Sequence, residues 1–205
     1  MLESYLTIKE RTSVEIVEKK SKFIAQLIPV ESEDEAFAKL EEIKKENRDA
    51  RHNVFSYRIA NGAERASDDG EPSGTAGVPI LDILRGNKLQ NVLVVVTRYF
   101  GGILLGTGGL VKAYTDSTKE ALKLAVTVKK KLQKEYEIEV PYSYNDKIIY
   151  FCKNNDYEIV DTKYEENAKL YIAVKDELSI NFEKQINDLS NREAIIKVVK
   201  DDFYA

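Results

Sequence analysis

The chain of 205 residues carries 31 basic and 35 acidic side chains, for a formal net charge of −4, and 43% of its residues are hydrophobic. This balance is typical of a globular protein of one or two domains and argues against a generally basic nucleic-acid binder. The single cysteine, Cys152, excludes an internal disulfide and indicates a reducing compartment. No signal peptide is recognisable at the amino terminus, and no run reaches the ~20 apolar residues that span a membrane. We therefore expect a cytoplasmic protein without membrane contact.

The first elements are predicted from hydrophobic periodicity. Residues 12–30 contain two β-rich runs around a polar centre and predict a hairpin. Ser32 and Glu35 form a capping box, which predicts a helix from this point onward. Residues 52–60 alternate between large apolar and polar side chains, so they predict a half-buried strand with Ser56 on its polar face.

The glycine-rich centre follows. Residues 61–77 contain too much Gly, Asp, Ser and Pro for regular structure and predict a long loop, which is usually functional or mobile. Residues 78–84 predict a short helix, and the β-branched run 91–97 predicts a central strand covered on both faces. A long helix is predicted over 110–126. Its small residues at four-residue spacing would let it pack closely against a sheet: Ala113, Ser117 and Ala121.

The last third of the chain predicts a second domain. Its elements alternate in the order strand, helix, strand, strand, helix, strand, which is the ferredoxin-like pattern. The predicted bounds are 133–140, 143–154, 157–164, 168–175, 178–190 and 194–200. The fold class is therefore α+β with two domains, residues 1–128 and 129–205.

Glycine and arginine are concentrated in one segment. All ten glycines lie between Gly62 and Gly109, and six of the eight arginines lie in or just before the same region. Glycine permits close approach of a partner to the backbone, and arginine offers a fork of donors for phosphate or bases. We call the surface that these arginines and glycines are expected to form the Arg/Gly-rich face. The candidate residues for binding nucleic acid or another anion are Arg58, Arg65, Arg98, Tyr99, Gly106, Gly108, Gly109 and Lys112.

The loop from Tyr99 to Gly109 connects a buried strand to a helix. Free backbone N–H groups at such a helix N-terminus favour an anion. The glycine spacing fits neither the GxxxxGK[ST] loop nor the dinucleotide fingerprint. Three interpretations stay open: a tight structural crossover, a phosphate or nucleic-acid backbone site, and a catalytic loop.

Three acids lie in the preceding loop: Asp68, Asp69 and Glu71. They either anchor the loop by pairing with arginines such as Arg58 or Arg98, contact a partner directly, or hold a divalent cation. His52 is the only histidine, and no GxSxG elbow accompanies it. We therefore predict no catalytic residue, no metal site and no cofactor.

Residues 65–122 resemble the IMPACT family of bacteria and eukaryotes. The matching blocks are 65–77, 91–102 and 105–114, with weaker likeness at 21–24 and 52–53. Where family members usually carry a small polar residue and a cysteine around the His-Asn pair, this chain has Arg51 and Val54.

The resemblance implies a first domain like the second domain of ribosomal protein S5 and a second domain like domain V of elongation factor G. Eukaryotic relatives regulate translation by competing for an activator of the starvation-responsive kinase of an initiation factor. For this chain the implication is a role related to translation or RNA, with RNA, the ribosome or a translation factor as the expected partner.

Three hypotheses follow. The first is a non-enzymatic regulator whose Arg/Gly-rich face contacts RNA or the ribosome, with Tyr99 or Phe100 stacking on a base. The second is an enzyme acting on a phosphorylated small molecule or nucleic acid, with Mg²⁺ held by the three acids. The third is a protein–protein adaptor that docks its partner through the glycine-rich loop.

Overall fold

The computed structural model describes residues 3–155 and 157–204, with the side chains of residues 201–204 outside that description. Residues 1 and 2 of the first predicted domain and residues 156 and 205 of the second therefore lie outside the described residues. The chain divides into two compact units, the first being Tyr5–Lys129 and the second running from Lys130 onward together with Glu3 and Ser4. Among the helices of the described part, none is long and apolar enough to cross a membrane.

The elements alternate throughout the chain, in keeping with the predicted α+β class. The elements of the first unit, with the strand β7 that continues beyond it, are β1 Ser4–Ile8, β2 Thr12–Glu18, β3 Ser21–Pro29, α1 Glu33–Glu46, β4 His52–Arg58, β5 Glu64–Ser67, α2 Gly77–Gly86, β6 Val92–Tyr99, α3 Gly106–Leu124 and β7 Thr127–Val140. Those that follow are α4 Tyr142–Asn154, β8 Glu158–Tyr164, β9 Ala168–Lys175, a short 3-10 helix Asp176–Leu178, α5 Ser179–Leu189 and β10 Ile195–Tyr204.

The first unit is built on an antiparallel sheet with strand order β2-β3-β6-β4-β5. β6 is its central strand, as the β-branched run predicted. Successive side chains of β6 point alternately into two hydrophobic cores, one on each face of the sheet. Val94 and Val96 pack with α2 and α3 on one face, whereas Leu93 and Val95 pack with α1 on the other. The small-residue stripe of α3 is buried, with Ala113 packed in the first of these cores. The result is a three-layer arrangement that positions the ends of β4 and β6 beside the start of α3.

Two expectations for the centre of the chain were wrong. The strand over β4 is not half-buried, because both of its faces are covered. Ser56 is fully buried, and its hydroxyl donates to the Gly77 carbonyl at 2.7 Å, which satisfies the polar group that was expected to face solvent. The segment 61–77 is not wholly irregular either, since Glu64–Ser67 forms the edge strand β5 against β4.

The second unit has the predicted ferredoxin-like order. β9 lies between β7 and β8, and β10 pairs with β7, all antiparallel. Its core contains residues of the strands and of α4 and α5, including Ile148, Cys152 and Phe182. The observed bounds of its strands and helices lie within one residue of the predicted ones, except that β7 and β10 are longer.

Candidate functional site

A cavity of about 440 Å³ opens in the first unit where three segments meet. His52 at the start of β4 lies directly opposite Arg98 near the end of β6 in the strand register. The glycine-rich loop after β6 and the first turn of α3 form the other wall. The lining consists of Arg51, His52, Gly70, Glu71, Pro72, Arg98, Phe100, Leu104, Leu105, Gly106, Thr107 and Leu110.

A buried ion pair forms the floor of the cavity. Arg98 Nη1 donates to Glu71 Oε1 at 2.5 Å, and the two side chains are only 6% and 4% exposed. The Tyr114 hydroxyl donates to the same oxygen at 2.7 Å. Burial, the hydrogen bond to Glu71 and the charge of that carboxylate raise the pKa of Tyr114 far above its usual range. The phenol therefore stays protonated and acts as a fixed donor.

The guanidinium of Arg98 is also held between two aromatic rings. It lies 5.4 Å from the centroid of Phe23 and 5.7 Å from that of Phe100. Its Nε is buried and has no hydrogen-bond partner among the described residues. The sequence predicted Arg98 both as a phosphate contact and as a partner of the loop acids. The structure shows the second, an ion pair with the buried Glu71.

His52 is oriented by the acidic loop. Its Nδ1 lies 2.7 Å from the backbone carbonyl oxygen of Asp69, which accepts a hydrogen bond only if Nδ1 carries the proton. In the neutral ring Nε2 is then the acceptor, and it lies 3.8 Å from Glu71 Oε1. The imidazole is thus positioned to interact with a ligand through Nε2.

The three loop acids are engaged inside the protein. Asp68 accepts hydrogen bonds from the backbone N–H groups of Gly74, Ala76 and Gly77 at 2.8–3.0 Å and thereby caps the start of α2. Asp69 accepts from the N–H of Asn53 at 2.6 Å. Of the three interpretations of these acids, the structure shows loop anchoring. Glu71 pairs with Arg98, which is the ion pair that this interpretation predicted. Within the described residues, no group of three acidic, histidine or cysteine side chains is arranged to hold a metal ion.

The glycine-rich loop is fixed against the β2–β3 hairpin. A Cβ on Gly101 would lie 2.0 Å from the carbonyl carbon of Lys20, so no other residue fits here. The N–H of Gly101 donates to the Ser21 hydroxyl at 3.1 Å. This contact places Phe100 and Leu104, 41% and 82% exposed, at the cavity.

The first turn of α3 has no cap. Leu105 occupies the capping position without a side-chain hydrogen bond to the helix, and the first turn contains no acidic residue. Gly106, Thr107 and Gly108 are exposed, and Gly106 has a φ of +74°, which favours glycine. Backbone N–H groups at such a terminus attract anions.

The other cations expected on the Arg/Gly-rich face lie elsewhere and have partners. Arg58 pairs with Glu64 at 3.3 Å and donates to the Leu89 carbonyl at 3.0 Å. Arg65 lies over the Phe37 ring, 5.1 Å from its centroid. Their side chains do not line the cavity, so these two arginines do not belong to the site formed by His52, Arg98 and the first turn of α3.

Lys112 and Tyr99 were also predicted as contacts and do not line the cavity. Lys112 pairs with Asp116 at 2.6 Å. The Tyr99 hydroxyl donates to Asn47 at 2.9 Å, and its ring is covered by the ammonium group of Lys22. Gly109 belongs to the first turn of α3, where a Cβ would meet Leu105 at 3.0 Å, so this glycine serves packing.

Sequence reasoning gave no binding role to Arg51, His52 or Thr107. Arg51 immediately precedes β4 and extends to within 5.8 Å of the Phe100 ring centroid. In the described part of the chain, it has no carboxylate within ion-pair distance. The signal in the sequence that could have indicated a binding role for Arg51 was its position directly before the strand that carries His52. Nothing in the sequence indicates that Arg51 lies beside α3.

Comparison with known proteins extends over both units. A family model described as the Impact N-terminal domain matches residues 19–122, and one described as a domain of unknown function (DUF1949) matches residues 138–191. The IMPACT family member YvyE of Bacillus subtilis is 39% identical over 199 residues, covering 96% of this chain and 92% of the relative. The IMPACT family member YigZ of Escherichia coli is 34% identical over 194 residues, covering 92% and 95%.

A solved structure described as that of a hypothetical protein matches with a TM-score of 0.68 at 32% identity, covering 98% of this chain and 100% of that chain. These matches confirm the resemblance first indicated by residues 65–122. The chain belongs to the IMPACT family.

Proposed function

We propose that this chain is a translation-related regulator that binds RNA or the ribosome without catalysing a reaction. The proposed contact is the cavity of the first unit, which holds a phosphate group of the RNA. In this proposal, a compact site at the start of β4 and the end of β6 takes the place of the broad Arg/Gly-rich face.

One observation carries the proposal: the uncapped first turn of α3 and the guanidinium of Arg51 border the same cavity. Helix N-termini bind phosphate through backbone N–H groups and the helix dipole, and arginine adds a bidentate donor. Phe100 supplies an exposed ring against which a base can stack. The net charge of −4 supports a local contact rather than a general affinity for nucleic acid.

The hypothesis of a Mg²⁺-dependent enzyme loses its support, because its three acids are engaged as cap, loop anchor and ion pair. The adaptor hypothesis keeps one supporting feature, the exposed side chains of Ile103 and Leu104. It is therefore included as an outcome of the test.

The test is cosedimentation of the full chain with ribosomes and filter binding to ribosomal RNA. Arg51→Ala should weaken binding by about tenfold, which corresponds to one charge-assisted contact. Arg65→Ala is the matched control, since it removes an exposed arginine of the same unit outside the cavity. Arg98→Ala is unsuitable, because it leaves Glu71 buried without its partner.

Equal losses for Arg51→Ala and Arg65→Ala would favour a broad basic surface and contradict the cavity. Capture of ribosomes that survives nuclease treatment and ignores Arg51→Ala would favour the adaptor. Binding to neither ribosomes nor RNA at low salt would overturn the proposal.

A further inference from the structure

We infer that the cavity recognises a terminal phosphate monoester of a nucleotide rather than the phosphodiesters inside a strand. The inference rests on the proposed function and specifies its ligand. The ligand chemistry, a phosphate monoester next to a base, is shared by the phosphorylated end of an RNA and by a free mononucleotide.

Several hydrogen-bond donors meet at the cavity. The backbone N–H groups of the exposed first turn of α3 border the cavity, together with the guanidinium of Arg51. Arg98 adds an independent observation, because it lines the cavity, is only 5% exposed and keeps a buried Nε–H without a hydrogen-bond partner in the described part of the chain. Such a group is costly to leave unpaired unless a ligand or water approaches it. A monoester has three terminal oxygens to accept from this set, whereas a diester has two.

The lining of the cavity carries more positive than negative charge. Arg51 and Arg98 are cationic, and Glu71 is the one acid that lines the cavity. Arg98 and Tyr114 both donate to Glu71 Oε1. The described lining therefore carries a net positive charge of one unit when His52 is neutral, which suits one compact anion.

Among the described residues, the predicted cations form no continuous track that leads away from the cavity. Arg58 is paired with Glu64, and Lys112 is paired with Asp116. The rim of the cavity is instead apolar, with Phe100 and Leu104 exposed. A strand bound along its length needs several phosphate contacts, whereas a terminal nucleotide needs one anion site and a surface for its base.

The experiment measures binding of the full chain to one short RNA of about ten nucleotides, a length within the usual single-strand site size. The RNA carries a 5′-phosphate, a 3′-phosphate or no terminal phosphate, and adenosine monophosphate is a fourth ligand. We expect at least one phosphorylated ligand to bind about tenfold more tightly than the unphosphorylated RNA. The logarithmic salt slope should be about −0.7 to −1.4, as expected for one or two phosphate charges on a single strand.

Thr107→Asp is the decisive variant. It places a carboxylate in the uncapped first turn of α3, where it interacts favourably with the helix dipole but repels an anionic ligand. Ser143→Asp is the matched control, because Ser143 is exposed at the equivalent second position of α4, whose first turn also lacks an acid and a side-chain cap. Thr107→Asp should lower the affinity for the phosphorylated ligand about tenfold or more without loss of stability, whereas Ser143→Asp should leave it unchanged.

The outcomes separate the inference from the function on which it rests. Preference for a phosphorylated RNA supports both, and binding of adenosine monophosphate alone supports the monoester site but overturns the RNA function. Equal binding of all three RNAs overturns the monoester site and leaves the RNA function standing. Binding of none of the four ligands overturns both.

Discussion

At the scale of single residues, Glu71 organises the floor of the cavity. Its Oε1 accepts hydrogen bonds from Arg98 and Tyr114, and His52 Nε2 lies 3.8 Å away. Because the carboxylate is buried, its interactions are weakly screened by solvent and salt. This residue therefore links the position of the loop to that of β6 and α3.

Glu71→Gln should lower the free energy of unfolding by about 3–5 kcal/mol, because Arg98 would remain charged and buried without a carboxylate. Urea unfolding followed by circular dichroism measures the change. Glu120→Gln is the control, since Glu120 and its partner Lys123 are 47% and 68% exposed, and its expected cost is below about 1 kcal/mol. Equal, small losses for the two variants would show that the buried pair contributes little to stability.

At the scale of elements, the acidic loop and α2 are held together by backbone hydrogen bonds. Asp68 substitutes for a capping side chain, because Ala76 at the capping position has none to offer. The same loop then reaches β4 through Asp69, which adopts a positive φ of 43°. Neither contact involves a ligand, so the loop is preformed.

Asp68→Ala should cost about 1–2 kcal/mol of stability, the range found for removed helix caps. The loss should be local: the amides of Gly74, Ala76 and Gly77 should exchange with solvent faster than in the unaltered chain. Hydrogen exchange measured by NMR tests this, with Ser32→Ala at the α1 cap as the comparison. Unchanged protection of these three amides would contradict the capping role.

The same elements show how far the sequence could predict this structure. The run 91–97 and the capping box at Ser32 encode their structure locally, so both were predicted correctly. The burial of Ser56 was not, because its acceptor is a carbonyl 21 residues later in the chain. The pairing of Arg98 with a loop acid was one of several open interpretations, because its carboxylate partner lies 27 residues earlier and only the fold selects Glu71.

At the scale of the whole molecule, the two units have separate hydrophobic cores, and each has its own buried ionisable groups. In the second unit the Cys152 thiol is fully buried, and burial raises its pKa to about 12. In the unfolded chain a cysteine ionises near a pKa of about 8.5. The folded state therefore retains a proton that the unfolded state loses.

The stability contributed by Cys152 is complete below about pH 8.5 and is lost as the pH rises toward 12, with a limiting slope of about 1.4 kcal/mol per pH unit. Urea unfolding at pH 7.5, 8.5 and 9.5 (chosen to span about the unfolded pKa) measures this fall. Cys152→Ala should remove this contribution and make the fall over that interval shallower, and the remaining slope comes from buried tyrosines such as Tyr114, whose pKa is also raised. Parallel curves for the two chains would show that the thiol is accessible to ionisation in the folded state.

The hairpin turn at Lys19 and Lys20 has a consequence for how the chain can vary. Both residues adopt left-handed backbone angles, and the turn joins an edge strand to its neighbour. Surface turns of this kind ordinarily accept inserted residues at little cost. Here the backbone of Gly101, eighty positions after Ser21, is packed directly on the turn. Lengthening the hairpin would push on the loop that carries Phe100, so the size of a remote turn is constrained by the shape of the binding cavity.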